Sequence, residues 1–256
     1  MAQGQLDEAS IHRWERNKFN LDRTIRGEND SPRQLDSLAM AMDLEHEKAL
    51  VTGDSRTVLS ILSDMEALAE SIGGIPDDED PYGSVAFTLA SLGKFDEAQD
   101  WVDQHAAYHV RTGEEMSPFG NIVSAYVDAN SGGDVDEAIG VIQTAIDEFG
   151  CPRCWRIELA ELYELKGDKD SAIELYLHYI TTPDLFALSN DEGLVARSQF
   201  RLAALFEERG DLDQAITYYT KMTERWANAD AVLQPQVAEA KRRIEALLDR
   251  KAREGS

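Results

Sequence analysis

Gly167-Asp168-Lys169-Asp170-Ser171-Ala172 and Gly210-Asp211-Leu212-Asp213-Gln214-Ala215 decide how this sequence folds. Both spell Gly-x-x-Asp-x-Ala, and apolar residues at helical spacing flank each copy. Leu159, Ala160, Leu162 and Tyr163 precede Gly167, and Ala172, Ile173, Leu175 and Tyr176 follow it. Leu202, Ala203, Leu205 and Phe206 precede Gly210, and Ala215, Ile216, Tyr218 and Tyr219 follow it. Spacings of three and four put these residues on one face of a helix. The glycine ends the first helix by taking the left-handed conformation, which costs it nothing sterically. The next residue lies in the tight turn. The second Asp is expected near the start of the following helix, where a carboxylate caps free N–H groups and meets the positive end of the helix dipole. The Ala then lets the two helices approach closely. Each copy therefore predicts an antiparallel helical hairpin.

Working outward, the pattern returns as Gly93-Lys94-Phe95-Asp96-Glu97-Ala98 and Gly133-Asp134-Val135-Asp136-Glu137-Ala138. A weaker copy begins at Gly53-Asp54 with Val58 at the Ala position, and a further one, Gly4-Gln5-Leu6-Asp7-Glu8-Ala9, opens the chain. From Gly53 onward the glycines are 40, 40, 34 and 43 residues apart. Fixed-period self-similarity of this kind marks a stack of like units. The longer steps imply extended loops, one at Gly73–Pro81 and another from Thr181 to about Gly193. A final helix is expected from about Val232 to Arg253, with Lys241, Arg242, Arg243, Arg250, Lys251 and Arg253 suiting its negative C-terminal end. Nothing reads as an alternating strand.

Charge narrows the partners. The chain of 256 residues carries a formal net charge of -24. Residues 51–240 hold 12 Lys/Arg against 36 Asp/Glu, so the middle carries all of it. Such a surface repels phosphates, which disfavours nucleic acid and anionic lipid. It suits solubility or a basic partner. The first residues lack the apolar run of a signal peptide. No stretch approaches the ~18 apolar residues of a membrane span. The expectation is a soluble, cytoplasmic protein without direct membrane insertion.

With these residues in hand, a resemblance can be stated. The hairpins around Gly167 and Gly210 look like tetratricopeptide repeats, and the 34-residue step is that family's period. Trp155 stands one position before the family's first tryptophan, and Gln199 replaces it in the last repeat. Residues 150–225 carry the likeness well and 84–150 moderately. The last hundred residues resemble the C-terminal repeat region of bacterial multidomain signalling proteins, in which repeats follow a Ser/Thr kinase, a nucleotide cyclase or a winged-helix domain. The strings Cys151-Pro152-Arg153-Cys154, Tyr179-Ile180-Thr181-Thr182-Pro183, Leu205–Asp211 and Trp226–Arg243 carry it. The resemblance implies an all-α, right-handed superhelical array of antiparallel hairpins. Residues 1–37 would form an N-terminal helical cap or partial repeat, 38–230 the array, and 231–256 a C-terminal capping helix.

The same resemblance implies a non-catalytic module that binds a protein or peptide in a concave groove, or else the regulatory arm of a signalling protein. The first helix of each hairpin would line the groove. That places Phe87, Asn121, Ser124, Ile157, Glu161, Glu164, Arg197, Phe200, Arg201 and Ala204 there. Arg197 and Arg201 lie four apart beside Phe200, a set that can clamp a carboxylate. The competing reading pairs both arginines with nearby acids.

Other motifs are weaker. Cys151 and Cys154 at a helix start suit a dithiol redox site, but thioredoxin-like chemistry wants a βαβ context, so a turn or an incidental disulfide is the plainer reading. His105 and His109 stand four apart, as metal ligands do, but zinc needs four ligands, and no metal site or cofactor is expected. Asp77-Asp78-Glu79-Asp80 lacks the spacing and glycine of a calcium loop and reads as a solvated loop. No phosphate loop, dinucleotide fingerprint, His-Glu-x-x-His or nucleophile elbow occurs, so no catalytic residues are expected.

Overall fold

A computed structural model describes residues 34–151, 153–182 and 192–254. Among them every regular element is helical. They fall into two compact units, residues 34–149 and 150–254. The copy at Gly4–Ala9, most of the proposed 1–37 cap, and residues 183–191 of the long loop lie outside the described residues.

The first unit holds three hairpins. Helix α1 (Gln34–Thr52) pairs with α2 (Arg56–Ile72), α3 (Tyr82–Ser91) with α4 (Phe95–Thr112), and α5 (Pro118–Asn130) with α6 (Val135–Phe149). Leu38, Met42, Ile61, Met65, Val85 and Leu89 form the core of its first two hairpins, and Ile122, Val123 and Ile142 that of its third. Each such side chain removed from water contributes about 1.5–3 kcal/mol. The second unit holds α7 (Arg156–Lys166) against α8 (Lys169–Thr181) and α9 (Glu192–Arg209) against α10 (Leu212–Arg225). A 3-10 turn (Ala231–Leu233) leads into α11 (Gln234–Glu254), which packs on α10. Pro235 sits in the first turn of α11, where its missing N–H costs nothing.

The repeated hexapeptide does what its chemistry predicts at both ends. Gly167 and Gly210 have φ of 85° and 84°. Ala98, Ala138, Ala172 and Ala215 are all buried at the hairpin contact, as is Val58. The cap, however, is the residue after the glycine, not the second Asp. Asp168 accepts from the Ser171 N–H at 3.1 Å, and Asp211 from the Gln214 N–H at 3.2 Å. Asp134 accepts from the N–H groups of Asp136 and Glu137 at 2.9 and 3.1 Å. The second Asp sits inside the first turn, where it meets the helix dipole and makes an ion pair, Asp170 with Arg209 at 3.0 Å and Asp213 with Lys251.

The third copy also shifts its turn by one residue. There Gly132, at φ 102°, takes the left-handed position. Gly133 is needed for space: a Cβ on it would lie 1.9 Å from the Asp128 carboxylate and 2.9 Å from the Asp128 carbonyl oxygen.

The terminal helix departs from expectation in its use of charge. Only Lys251 and Arg253 lie in its last turn. Arg243 reaches sideways instead, to Glu207 at 3.2 Å and the Tyr219 hydroxyl at 3.0 Å.

Candidate functional site

The expected groove residues sit on the first helices of four hairpins. Phe87 is on α3, with its ring 5.5 Å from His46 and 6.0 Å from Phe119. Asn121 and Ser124 are on α5. Ile157, Glu161 and Glu164 are on α7, and Arg197, Phe200, Arg201 and Ala204 are on α9. Ala204 is buried and presents no side chain to solvent.

The arginines of α9 are engaged. Arg201 donates from Nε to both Glu164 oxygens, at 3.0 and 2.7 Å, and its Nη2 also contacts that carboxylate. Arg197 lies 3.5 Å from Glu161. The Tyr176 hydroxyl completes the arrangement by donating to Glu164 at 2.9 Å. Burial and the Glu161 and Glu164 charges push the Tyr176 phenol well above its ordinary pKa, so it remains a donor. The next hairpin repeats the device: Tyr219 donates to Glu207 at 3.2 Å and Arg243 joins both. Phe200 packs on Tyr219 at 5.3 Å, with the Arg243 guanidinium 5.8 Å from its centroid. The clamp expected for a partner's carboxylate is thus already closed on the protein's own acids.

Asn121 and Ser124 lie elsewhere, on a cleft of about 800 Å³ between α5 and α6. Ile122, Ala138, Val141 and Ala145 provide its apolar lining. Asp128, Asp134, Glu137 and Glu148 surround it, and none of its lining residues is Lys or Arg. All four carboxylates are exposed.

Residues 197–229 match the tetratricopeptide repeat family model. They span α9 from Arg197 onward, all of α10 and the buried Trp226 that follows it. The chain carries a TPR-like repeat there. No curated protein matches it. Among solved structures, the crystal structure of BtubC (BKLC) from P. vanneervenii is similar at 15% identity, covering 96% of this chain and 91% of that one, with a TM-score of 0.34. Tetratricopeptide repeats are in general non-catalytic protein-interaction modules, and among the described residues of this TPR-like chain no helix is long and apolar enough to cross a membrane.

In the family's tryptophan position, Gln199 is buried and its Oε1 has no hydrogen-bond partner. Trp155 stands just ahead of α7 with a left-handed backbone, φ 60°. Immediately before it, Cys151 and Cys154 are joined in a disulfide, and the Cys154 N–H points to the Cys151 sulfur at 3.2 Å. The two cysteines therefore spend their donor capacity on each other.

Asp77, Asp78 and Asp80 of the acidic stretch are exposed, as its composition suggests, but Glu79 is not. Glu79 is buried and accepts from the N–H groups of Leu35 at 2.5 Å and Asp36 at 3.0 Å, which caps α1 from 44 residues away. Burial raises its pKa against the pull of those two bonds. Asp77 pairs with Arg111 at 2.8 Å, and its carbonyl accepts from Tyr108 at 3.1 Å. Asp80 meets both histidines of α4: its oxygens lie 3.2 Å from His105 Nε2 and 3.9 Å from His109 Nε2. The expectation of no metal-ligating set did not foresee this grouping. His105 and His109 were a visible pair, but the third member stands 25 residues before His105, in a loop.

Proposed function

We propose that this TPR-like protein is a non-catalytic interaction module that receives a basic segment of a partner protein in the α5–α6 cleft. The observation that carries the reading is the composition of that cleft: an apolar lining, four exposed carboxylates and no basic lining residue. The family match supports the interaction role, and the strongly acidic middle of the chain supports the sign of the partner's charge. An acidic peptide is the poorer candidate, because Arg197 and Arg201 already hold carboxylates.

The test is titration of the purified chain with a fluorescent Lys/Arg-rich peptide and with an acidic one of equal length. Saturable binding of the basic peptide, weakened by salt and at least about tenfold by Glu137→Lys with Glu148→Lys, is expected. Binding of the acidic peptide alone, lost with Arg197→Glu, would return the site to α9.

The likeness of the last hundred residues to signalling proteins supports a second reading, in which the module is the regulatory arm of a kinase, cyclase or transcription regulator. Immunoblotting the native protein in soluble and membrane fractions distinguishes them. A band near 28.6 kDa fits a free-standing adaptor, and a much larger one fits an arm.

A further inference from the structure

We propose that Asp80, His105 and His109 form a binding site for a divalent transition-metal ion of the zinc class, with water in the fourth position. The site lies within the first unit and is independent of the α5–α6 cleft.

The donor atoms are already gathered. His105 and His109 stand one turn apart on α4, and their Nε2 atoms are 3.0 Å from each other. Asp80 Oδ2 lies 3.3 Å from His105 Nε2 and 3.9 Å from His109 Nε2. Zinc holds nitrogen and carboxylate ligands at about 2.0–2.2 Å in a tetrahedron, whose edges are then about 3.3–3.6 Å. The observed separations bracket that edge. The donor set, two imidazoles and one carboxylate, is a combination zinc accepts when water is its fourth ligand.

The tautomers point the same way. His109 Nδ1 lies 3.1 Å from the Glu114 carbonyl oxygen, which can only accept. Nδ1 therefore carries a proton, which leaves Nε2, facing His105 and Asp80, as the ring's ligating atom. A carbonyl behind a ligating histidine is the usual means of fixing its orientation. His105 Nε2, His109 Nε2 and the Asp80 carboxylate converge on one point.

The surroundings hold this geometry. His105 is 4% exposed. Its ring stacks on Tyr82 at 5.9 Å with an interplanar angle of 18°. Two glycines make its space: a Cβ on Gly120 would come 2.6 Å from His105 Cε1, and one on Gly83 3.4 Å from the same atom. Asp80 is fixed by its own backbone N–H, which donates to the Asp36 carboxylate at 3.0 Å. A bound ion would tie this loop to α4.

The test uses the full chain, stripped with EDTA and titrated with Zn²⁺ by calorimetry and with Co²⁺ by visible absorption. One ion per chain and the d–d bands of four-coordinate Co²⁺ are expected. His109→Ala and Asp80→Asn should each weaken binding by roughly a hundredfold with an unchanged helical circular dichroism spectrum. In the unaltered chain, the Nε2 ¹⁵N resonances of both His105 and His109 should shift on adding Zn²⁺, a readout that needs no variant. Absence of binding, unmoved imidazole resonances, or binding equally tight in His109→Ala would overturn the proposal. So would binding abolished by Cys151→Ser with Cys154→Ser, which would place the ion away from Asp80, His105 and His109.

Discussion

Arg201 closes on Glu164 from 37 residues further along the chain, and Tyr176 donates to the same carboxylate. The contact fastens α9 to the hairpin before it. Because Glu164 is only 13% exposed at its side chain while Arg201 is 43% exposed, the pair is neither a free surface bridge nor a fully desolvated one. A double-mutant cycle with Glu164→Gln and Arg201→Gln, read by urea denaturation, should give a coupling of about 1 kcal/mol. Arg201→Glu should cost more than Arg201→Gln, since it sets two carboxylates against each other. Equal losses from the two substitutions would mean that the contact is not made in solution.

Glu79 offers a cleaner measurement, because its carboxylate is buried and its partners are backbone N–H groups. Glu79→Ala leaves the first turn of α1 without that cap. A loss of about 1–2 kcal/mol is expected, with Glu79→Gln intermediate. Hydrogen exchange should show the added opening at the start of α1 and not in the second unit.

Stability should fall as pH rises. Burial pushes Asp43 up to about 6, against hydrogen bonds from Thr88 and Ser84. Burial, with the charge of Glu161, pushes Glu158 up to about 7, against the pull of Arg197. The ordinary values are 3.8 and 4.5. The folded state therefore binds protons that the unfolded chain has released; both contributions are whole below about pH 4, and that of Asp43 is lost as pH rises through about 6 and that of Glu158 through about 7. Each is worth on the order of 1 kcal/mol after allowance for partial solvent access. Glu158→Gln should lower the slope of urea midpoint against pH between 5 and 8 and raise stability at pH 8. An unchanged slope would count against the buried carboxyl.

Gln199 is a natural place to gain stability. Its buried Oε1 lacks a partner, and the position belongs to a tryptophan in the family pattern. Gln199→Leu removes the stranded acceptor at similar volume and should add about 1–2 kcal/mol. A thermal melt of the two proteins decides it.

What could be read from the sequence was what repeats. Gly167 and Gly210 gave the turns, the apolar spacing gave the helices, and the alanines gave the close contact, because each of these is a local rule copied along the chain. The cap was misplaced by two residues, since Gly-Asp-x-Asp offers two carboxylates and only the backbone geometry chooses between them. The Glu–Tyr–Arg clasp was present as a periodic signal, at Glu164, Tyr176 and Arg201 and again at Glu207, Tyr219 and Arg243. It went unread because tyrosine at a core position is explained by packing alone. Asp80 beside His105 and His109 had no local signal. A loop residue finds its partners only when α3 and α4 have folded, and an acidic run looks the same in sequence whether it is solvated or enclosed.

The clasp also makes the two junctions of the second unit exchangeable. Glu164 and Glu207 each have a tyrosine 12 residues ahead, and their arginines are 37 and 36 residues ahead. Splicing out the 43 residues from Gly167 to Arg209 would leave Tyr219 12 and Arg243 36 residues after Glu164, the spacings Glu207 has now. The terminal helix would find the same fitting waiting one hairpin earlier. A chain built this way can be shortened or lengthened by whole hairpins during evolution while the piece that closes it stays unchanged.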